Sequence, residues 1–582
     1  MNELVATRSV TEEFRGLNKA LRIGAGEFAD MTNLTAAYYP LLSPRGQRGV
    51  YKDDGNYLAL LAKDQLCWIR GTKLYVNGYD TGITLNNETP KRIVSMGGYI
   101  IVFPDKVWVN TIRSNDQAAF TTGSIDSSFT ATETVTFNIC NLEGTDYTNY
   151  TANSSAPESP VNGTLWLDTS SSAFVLKQYS VESAQWVAIP FTYIKISTPN
   201  IDQYFETGDG VTISGVTSEQ LSDLNSTMVI QGKGAGYIIV TGIMSGTVEQ
   251  PYDSENPLTV KRSIPEMEYV IESNNRLWGC HYGLAADGKS VINEIYASKL
   301  GDFKNWSVYD GVSTDSYTAS VGTDGPFTGA INYLGYPLFF KENCIHKVYG
   351  TYPANYQIQT TTARGVEDGS ANSLAIVNEV LYYKSPFDFC AYDGSLPGSV
   401  SSALEGWILK NVNACSHNGK YYASVQDEEG AYHFLVYDVQ KGFWLREDNI
   451  RATALASCDD DLYMIVNGNI LTEFGTGVTD VTPIHWSAET GVIGLSLPDA
   501  KNVSRITVRL NLAAGSRVSF YAQYDSIPRW DHLCTLSQRY LRTFSIPLRP
   551  HRCDHLRLKF EGVGDCKIYS ITYTTEQGSE KP

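Results

Sequence analysis

Between Phe327 and Phe474 one theme keeps returning: a polar or glycine-bearing turn, then a short apolar-aromatic strand. It stands at Gly335-Tyr-Pro-Leu-Phe-Phe340, Asn378-Glu-Val-Leu-Tyr-Tyr383, Asn418-Gly-Lys-Tyr-Tyr-Ala423 and Asp460-Asp-Leu-Tyr-Met-Ile465, at intervals of 43, 40 and 42 residues. A sheet of a few strands has two faces to cover, so a repeat of this length must stack on its neighbours; that is the pattern of a β-propeller blade. Earlier copies stand at Gly55-Asn-Tyr-Leu-Ala-Leu60, Gly97-Gly-Tyr-Ile-Ile-Val102 and Asn275-Arg-Leu-Trp-Gly279. The seven units predict an all-β chain: a propeller of about six to eight blades, with an inserted β domain and a C-terminal β-sandwich.

The rest of the chain is placed around that frame. Residues 1–50 form an N-terminal arm. Within it Ser9-Val-Thr-Glu12 fits a capping box, with Val10, Phe14, Leu17 and Leu21 on one helical face, but Gly16 and Gly24 equally suit an extended arm. Tyr38-Tyr-Pro-Leu-Leu-Ser-Pro-Arg45 carries two prolines in five residues, which forbids helix and favours an ordered, extended segment. Residues 51–113 read as the first blades and 267–482 as the remaining ones. The interval 114–266 is rich in Thr, Ser, Asn and Asp, lacks the theme and is too long for a loop, so it is expected to be one or more inserted β domains. From Pro483 onward, strands such as Ser504-Arg-Ile-Thr-Val-Arg509 and His555-Leu-Arg-Leu-Lys-Phe560 alternate sides, as one-face-buried strands of a sandwich do.

Several stretches carry the letters of a chemical site. Gly283-Leu-Ala-Ala-Asp-Gly-Lys-Ser290 satisfies the pattern of a phosphate-binding loop, but Asp287 sets a negative charge beside the anion and a strand follows where a helix is needed, so an Asp-Gly hairpin is expected. His551, Cys553 and His555 alternate on a strand with Cys566 beyond, yet match no common zinc spacing. Asp459-Asp-Asp461 and Asp53-Asp54 are expected to be solvated blade turns and not Ca²⁺ ligands. Trp166, Tyr179 and Trp186 in the insertion are candidates for a sugar platform, with the core of a small sandwich as the competing reading. No nucleophile elbow stands out, and no carboxylate pair can be picked from 63 acidic residues. The expectation is therefore no enzyme, no cofactor and no metal.

The formal charge of −18 argues against a protein that grips nucleic acid by its phosphates, but not against a wall past which DNA slides without sticking. Ten scattered cysteines without a Cys-x-x-Cys pair are expected to be reduced and buried. No run of 18 apolar residues and no signal-peptide core stand out, so a soluble chain made in a cytosol, without membrane insertion, is expected.

Three segments resemble tailed-bacteriophage tail proteins of the hub or nozzle family, the tail tube protein B-like type. They are Asp30-Met-Thr-Asn-Leu34 with Tyr39-Pro-Leu-Leu-Ser-Pro-Arg45; Asn275-Arg-Leu-Trp278 with Asn293-Glu-Ile-Tyr-Ala-Ser298 and Gly301-Asp-Phe-Lys-Asn-Trp306; and Arg549-Pro-His-Arg-Cys-Asp-His-Leu556 with Glu561-Gly562 and Glu576-Gln-Gly-Ser-Glu580. The resemblance implies a structural virion protein in the tail, assembled in the host cytoplasm. It would form a homo-oligomeric ring of six around the DNA exit channel, meeting portal and adaptor proteins and tail fibre or plug proteins, with genomic DNA passing through the lumen. Tyr38, Tyr39, Pro40, Arg45 and Arg48 of the arm, and Arg549, Arg552, Asp554 and His555 of the last domain, are then expected at assembly interfaces. The alternative is a receptor-recognition propeller that binds or cleaves carbohydrate.

Overall fold

The computed structural model describes residues 6–87, 90–113, 115, 118–479, 482–494, 501–548 and 552–577. The chain is all-β, 52% strand and 3% helix. Six four-stranded sheets follow one another, starting at Tyr57–Ala62, Arg92–Met96, Tyr269–Ser273, Gly329–Tyr333, Ala375–Val377 and Leu409–His417. A seventh begins at Ala452–Cys458 and has three strands in succession; Gly49–Lys52, from the start of the chain, takes the fourth place beside Asn469–Thr472, with Thr472 opposite Gly49.

The recurrence seen in the sequence is the hairpin between the first and second strands of a sheet. Its two-residue turn has positive φ at both positions in Asn274-Asn275 (53° and 58°), Leu334-Gly335 (51° and 84°), Asn378-Glu379 (49° and 68°) and Asn418-Gly419 (46° and 70°). A type I′ turn demands this, because only its twist matches the strands it joins, and Asn and Gly adopt it at least cost. The second strand that follows is covered on both faces: Leu338, Phe339 and Phe340 are fully buried, as are Ile100, Ile101 and Val102. Such a strand reads as an unbroken apolar run and not as an alternation. The copy at Gly55 is one strand out of phase: its turn precedes the first strand of its sheet, and the buried second strand is Leu66–Arg70.

The chain divides into two compact units. The first comprises Met1–Ile93, Pro326–Lys347 and Gln359–Pro582; the second Val94–Gly325 and Val348–Ile358. In the first unit, Tyr57, Leu66 and Trp68 of the first sheet pack on Ala456, Tyr463, Ile465 and Ile470 of the seventh. The last domain holds two five-stranded sheets whose inward side chains, among them Val508, Leu510, Phe520, Leu558 and Phe560, share one core.

That domain does not begin at residue 483. Ala6–Thr11 pairs with Cys566–Gln577, and Phe28–Thr32 pairs with His485–Thr490, so each sheet takes one strand from the N-terminus. Of the two readings of the Ser9–Glu12 stretch, the extended one holds: the strand Ala6–Thr11 covers its first three residues. Phe14, Leu17, Met31, Leu34 and Leu42 are buried in the same core.

In the second unit the insertion enters and leaves on adjacent strands, Ser127 standing opposite Arg262. It contains an eight-stranded sheet and a four-stranded one, Tyr150–Asn153 to Gln185–Ala188, over a core that includes Phe137, Leu167, Ile196, Phe205 and Val240. No helix among the described residues is long and apolar enough to cross a membrane.

Candidate functional site

The segment expected to make assembly contacts is instead tied into its own chain. Arg48 reaches Glu447 at 2.8 Å and Glu473 at 2.6 Å and also bonds Asp448, while Arg45 meets Asp448 at 3.2 Å and Asn33 at 2.9 Å. Both guanidinium groups are about nine-tenths covered, with side-chain exposures of 10% and 12%. Arg45 and Arg48, expected at an assembly interface, form an internal ion cluster that fastens the arm to the sixth and seventh sheets. Burial opposes the charge on Arg48, but Glu473, Asp448 and Glu447 outweigh it and hold the group cationic. Burial, then the charge of Glu473, pushes the Glu447 carboxyl well above the usual carboxylate range. Two cations thus face three carboxyls.

Tyr39 donates its hydroxyl to Glu13 and packs on Phe443, with ring centroids 5.7 Å apart; Pro40 accepts a backbone bond from Phe14 at 3.0 Å. Tyr38 is half-exposed, and the Lys567 ammonium sits 3.8 Å from its ring centre. In the last domain, Arg552 and Asp554 are at the surface. His555 bonds Asp554 at 2.8 Å and Ser526 at 2.7 Å, and the Asp554 carbonyl accepts from Lys501. Arg549 and His551 lie outside the described residues. Cys553 and Cys566 are buried, and no group of three metal-ligating side chains occurs among the described residues. All ten cysteines are unbridged and eight are buried.

The phosphate-loop letters form a hairpin between Arg276–Leu284 and Val291–Ala297. The Asp287 carboxylate accepts the amides of Lys289 at 2.8 Å and Ser290 at 2.9 Å and the Ser290 hydroxyl at 2.6 Å, so donors that a phosphate would need are already used. The Ser290 hydroxyl, then the two amides, hold its pKa down to about 2. Asp461 is likewise occupied, accepting the amides of Leu462, Phe474 and Thr476, and Asp54 accepts the Tyr57 hydroxyl at 2.6 Å.

Trp166, Tyr179 and Trp186 do come together, but as an edge-to-face group. Trp186 lies 5.3 Å from each of the other two, at interplanar angles of 70° and 61°. Trp166 is 7% exposed and donates its indole N–H to the Asn153 carbonyl, so it is packing and not a flat stacking surface. A groove in the same insertion, about 490 Å³, was not legible in the sequence: Asn138, Asp146, Tyr147, Tyr150, Ser245 and Thr247 line it from separate segments.

No family model matches the chain, and no curated protein does. Among solved structures it is similar to an exo-β-1,3-galactanase of Phanerochaete chrysosporium, at 10% identity and a TM-score of 0.20 over 55% of this chain and 98% of that one. A GH43 glycoside hydrolase with endo-xylanase and exo-arabinofuranosidase activity stands at 9% identity and a TM-score of 0.20, over 53% and 97%. An acylaminoacyl peptidase of Pyrococcus horikoshii stands at 11% and 0.23, over 56% of each chain. Likenesses of that size assign this chain no reaction. The expectation of no enzyme is withdrawn: the solved structures that the chain is similar to include hydrolases.

Proposed function

We propose that the chain is a subunit of the tail hub or nozzle of a tailed bacteriophage, its seven sheets arranged as a β-propeller in a ring around the DNA exit channel. The observation that carries this reading is the join between the two ends of the run of seven sheets. Gly49–Lys52 completes the seventh sheet and the first sheet packs on it, as the closing of a circular array requires. The segment that resembles hub proteins, Asp30 to Arg45, is the one that ties this join to the last domain, through Phe28–Thr32 and the arginine cluster. The charge of −18 per copy suits a lumen that repels phosphates and lets DNA pass. Portal, adaptor, fibre or plug proteins would be its neighbours. Electron microscopy of the purified protein tests the reading: rings of about six copies with propeller-shaped subunits are expected, and a chain that stays monomeric at every concentration refutes it.

The second reading is a tail protein that recognises or cleaves carbohydrate, and the polar groove in the insertion favours it. Screening against polysaccharides for binding and for released reducing sugar tests it; neither binding nor release removes it.

A further inference from the structure

We infer that the groove formed by Asn138, Asp146, Tyr147, Tyr150, Ser245 and Thr247 binds a neutral saccharide; this rests on the second reading and names its site and ligand class. The volume, about 490 Å³, is that of a small-molecule site, typically ~300–1,000 Å³. Two stretches of chain meet at it: the run from the strand Val135–Cys140 through the loop that follows to the strand Tyr150–Asn153, and the loop at 245–247.

The lining is fixed before any ligand arrives. Lys195 holds Asp146 at 2.5 Å and the Gly144 carbonyl at 3.1 Å. Thr247 donates to the Asn138 side-chain oxygen at 2.7 Å, and the Asn138 amide donates to Asp146 at 3.4 Å. The backbone N–H of Gly246 donates to the Tyr150 hydroxyl at 2.6 Å, leaving that hydroxyl's own proton to be given away. The Tyr147 amide is pinned to the Ile139 carbonyl at 3.0 Å.

Chemistry then narrows the ligand. An anion would need a spare cation, and Lys195 is engaged by Asp146. A divalent cation would need several hard oxygens, and Asp146 is the one carboxylate among the lining residues. An apolar ligand would shut the Tyr150 hydroxyl proton and the remaining donor and acceptor sites of these groups away from water, at ~1–3 kcal/mol per unpaired group. What is left is a neutral molecule dense in groups that both donate and accept, with C–H surfaces to lie on Tyr147 and Tyr150; a saccharide has both.

The test is titration of the full chain with neutral gluco-, galacto- and manno-oligosaccharides, with sialylated and sulfated glycans as controls. Saturable binding of a neutral sugar is expected, at least tenfold weaker in Tyr147→Ala and Asp146→Asn and unchanged in Trp186→Ala. Thr247→Val, at an exposed position, gives the same readout without touching the Lys195 pair. Neutral binding that survives all three groove variants overturns the site but keeps the second reading. Binding of acidic glycans alone overturns the ligand class, and no binding at all overturns both. Ring formation is read separately and is unaffected by any of these outcomes.

Discussion

Replacing Glu447 by glutamine isolates the effect of its raised carboxyl on the arginine cluster. With its carboxyl raised by burial and by Glu473, the folded protein keeps a proton that the unfolded chain releases near about pH 4.3. A raised carboxyl contributes stability that is fully present below the unfolded value and is lost as pH rises through the folded one. The loss accrues at up to about 1.4 kcal/mol per pH unit inside that window. A glutamine side chain mimics the neutral carboxyl and cannot ionise, so the Glu447→Gln variant should match wild type near pH ~4 and become progressively the more stable of the two as pH rises. Urea denaturation of both proteins across about pH 4 to 9, followed by tryptophan fluorescence, reads the difference. Arg48→Met marks the opposite extreme, leaving buried carboxyls without their main cation at a cost on the order of 3–5 kcal/mol. A difference between wild type and Glu447→Gln that stays flat with pH would refute the raised carboxyl.

Leu17 is 1% exposed in the core of the first unit, so Leu17→Ala should cost about 2–5 kcal/mol by chemical denaturation. For the same reason, removing the arm up to Arg45 should yield unfolded protein and not a folded, unassembled monomer; circular dichroism of the truncated chain decides. A Cβ on Gly562 would stand 2.0 Å from the Trp486 indole, so Gly562→Ala should destabilise the last domain by ~1–3 kcal/mol; unchanged stability refutes that contact. Burial, then the Lys341 charge, lowers the His346 imidazole to about 4, so its contribution is lost as pH falls from about 6.5 towards 4. His346→Phe should flatten stability in that range, and an unaltered acid limb refutes the assignment.

The periodicity of turns and doubly buried strands determined the all-β repeat, because a type I′ hairpin writes Asn and Gly at its turn and an apolar run just after it. Asp287 likewise announced a hairpin where the letters suggested a nucleotide loop. Tertiary structure alone decided where the ends of the chain go. Ala6–Thr11 and Gly49–Lys52 find partners more than four hundred residues away, and local sequence holds no record of a strand's distant neighbour. The same is true of charge: Arg45 and Arg48 read as surface residues until Glu447, Asp448 and Glu473 are seen to close around them. Asn138, Asp146 and Thr247 are ordinary polar residues one at a time, and become a groove only because the stretch 138–152 and the loop 245–247, about a hundred residues apart in sequence, meet in one place.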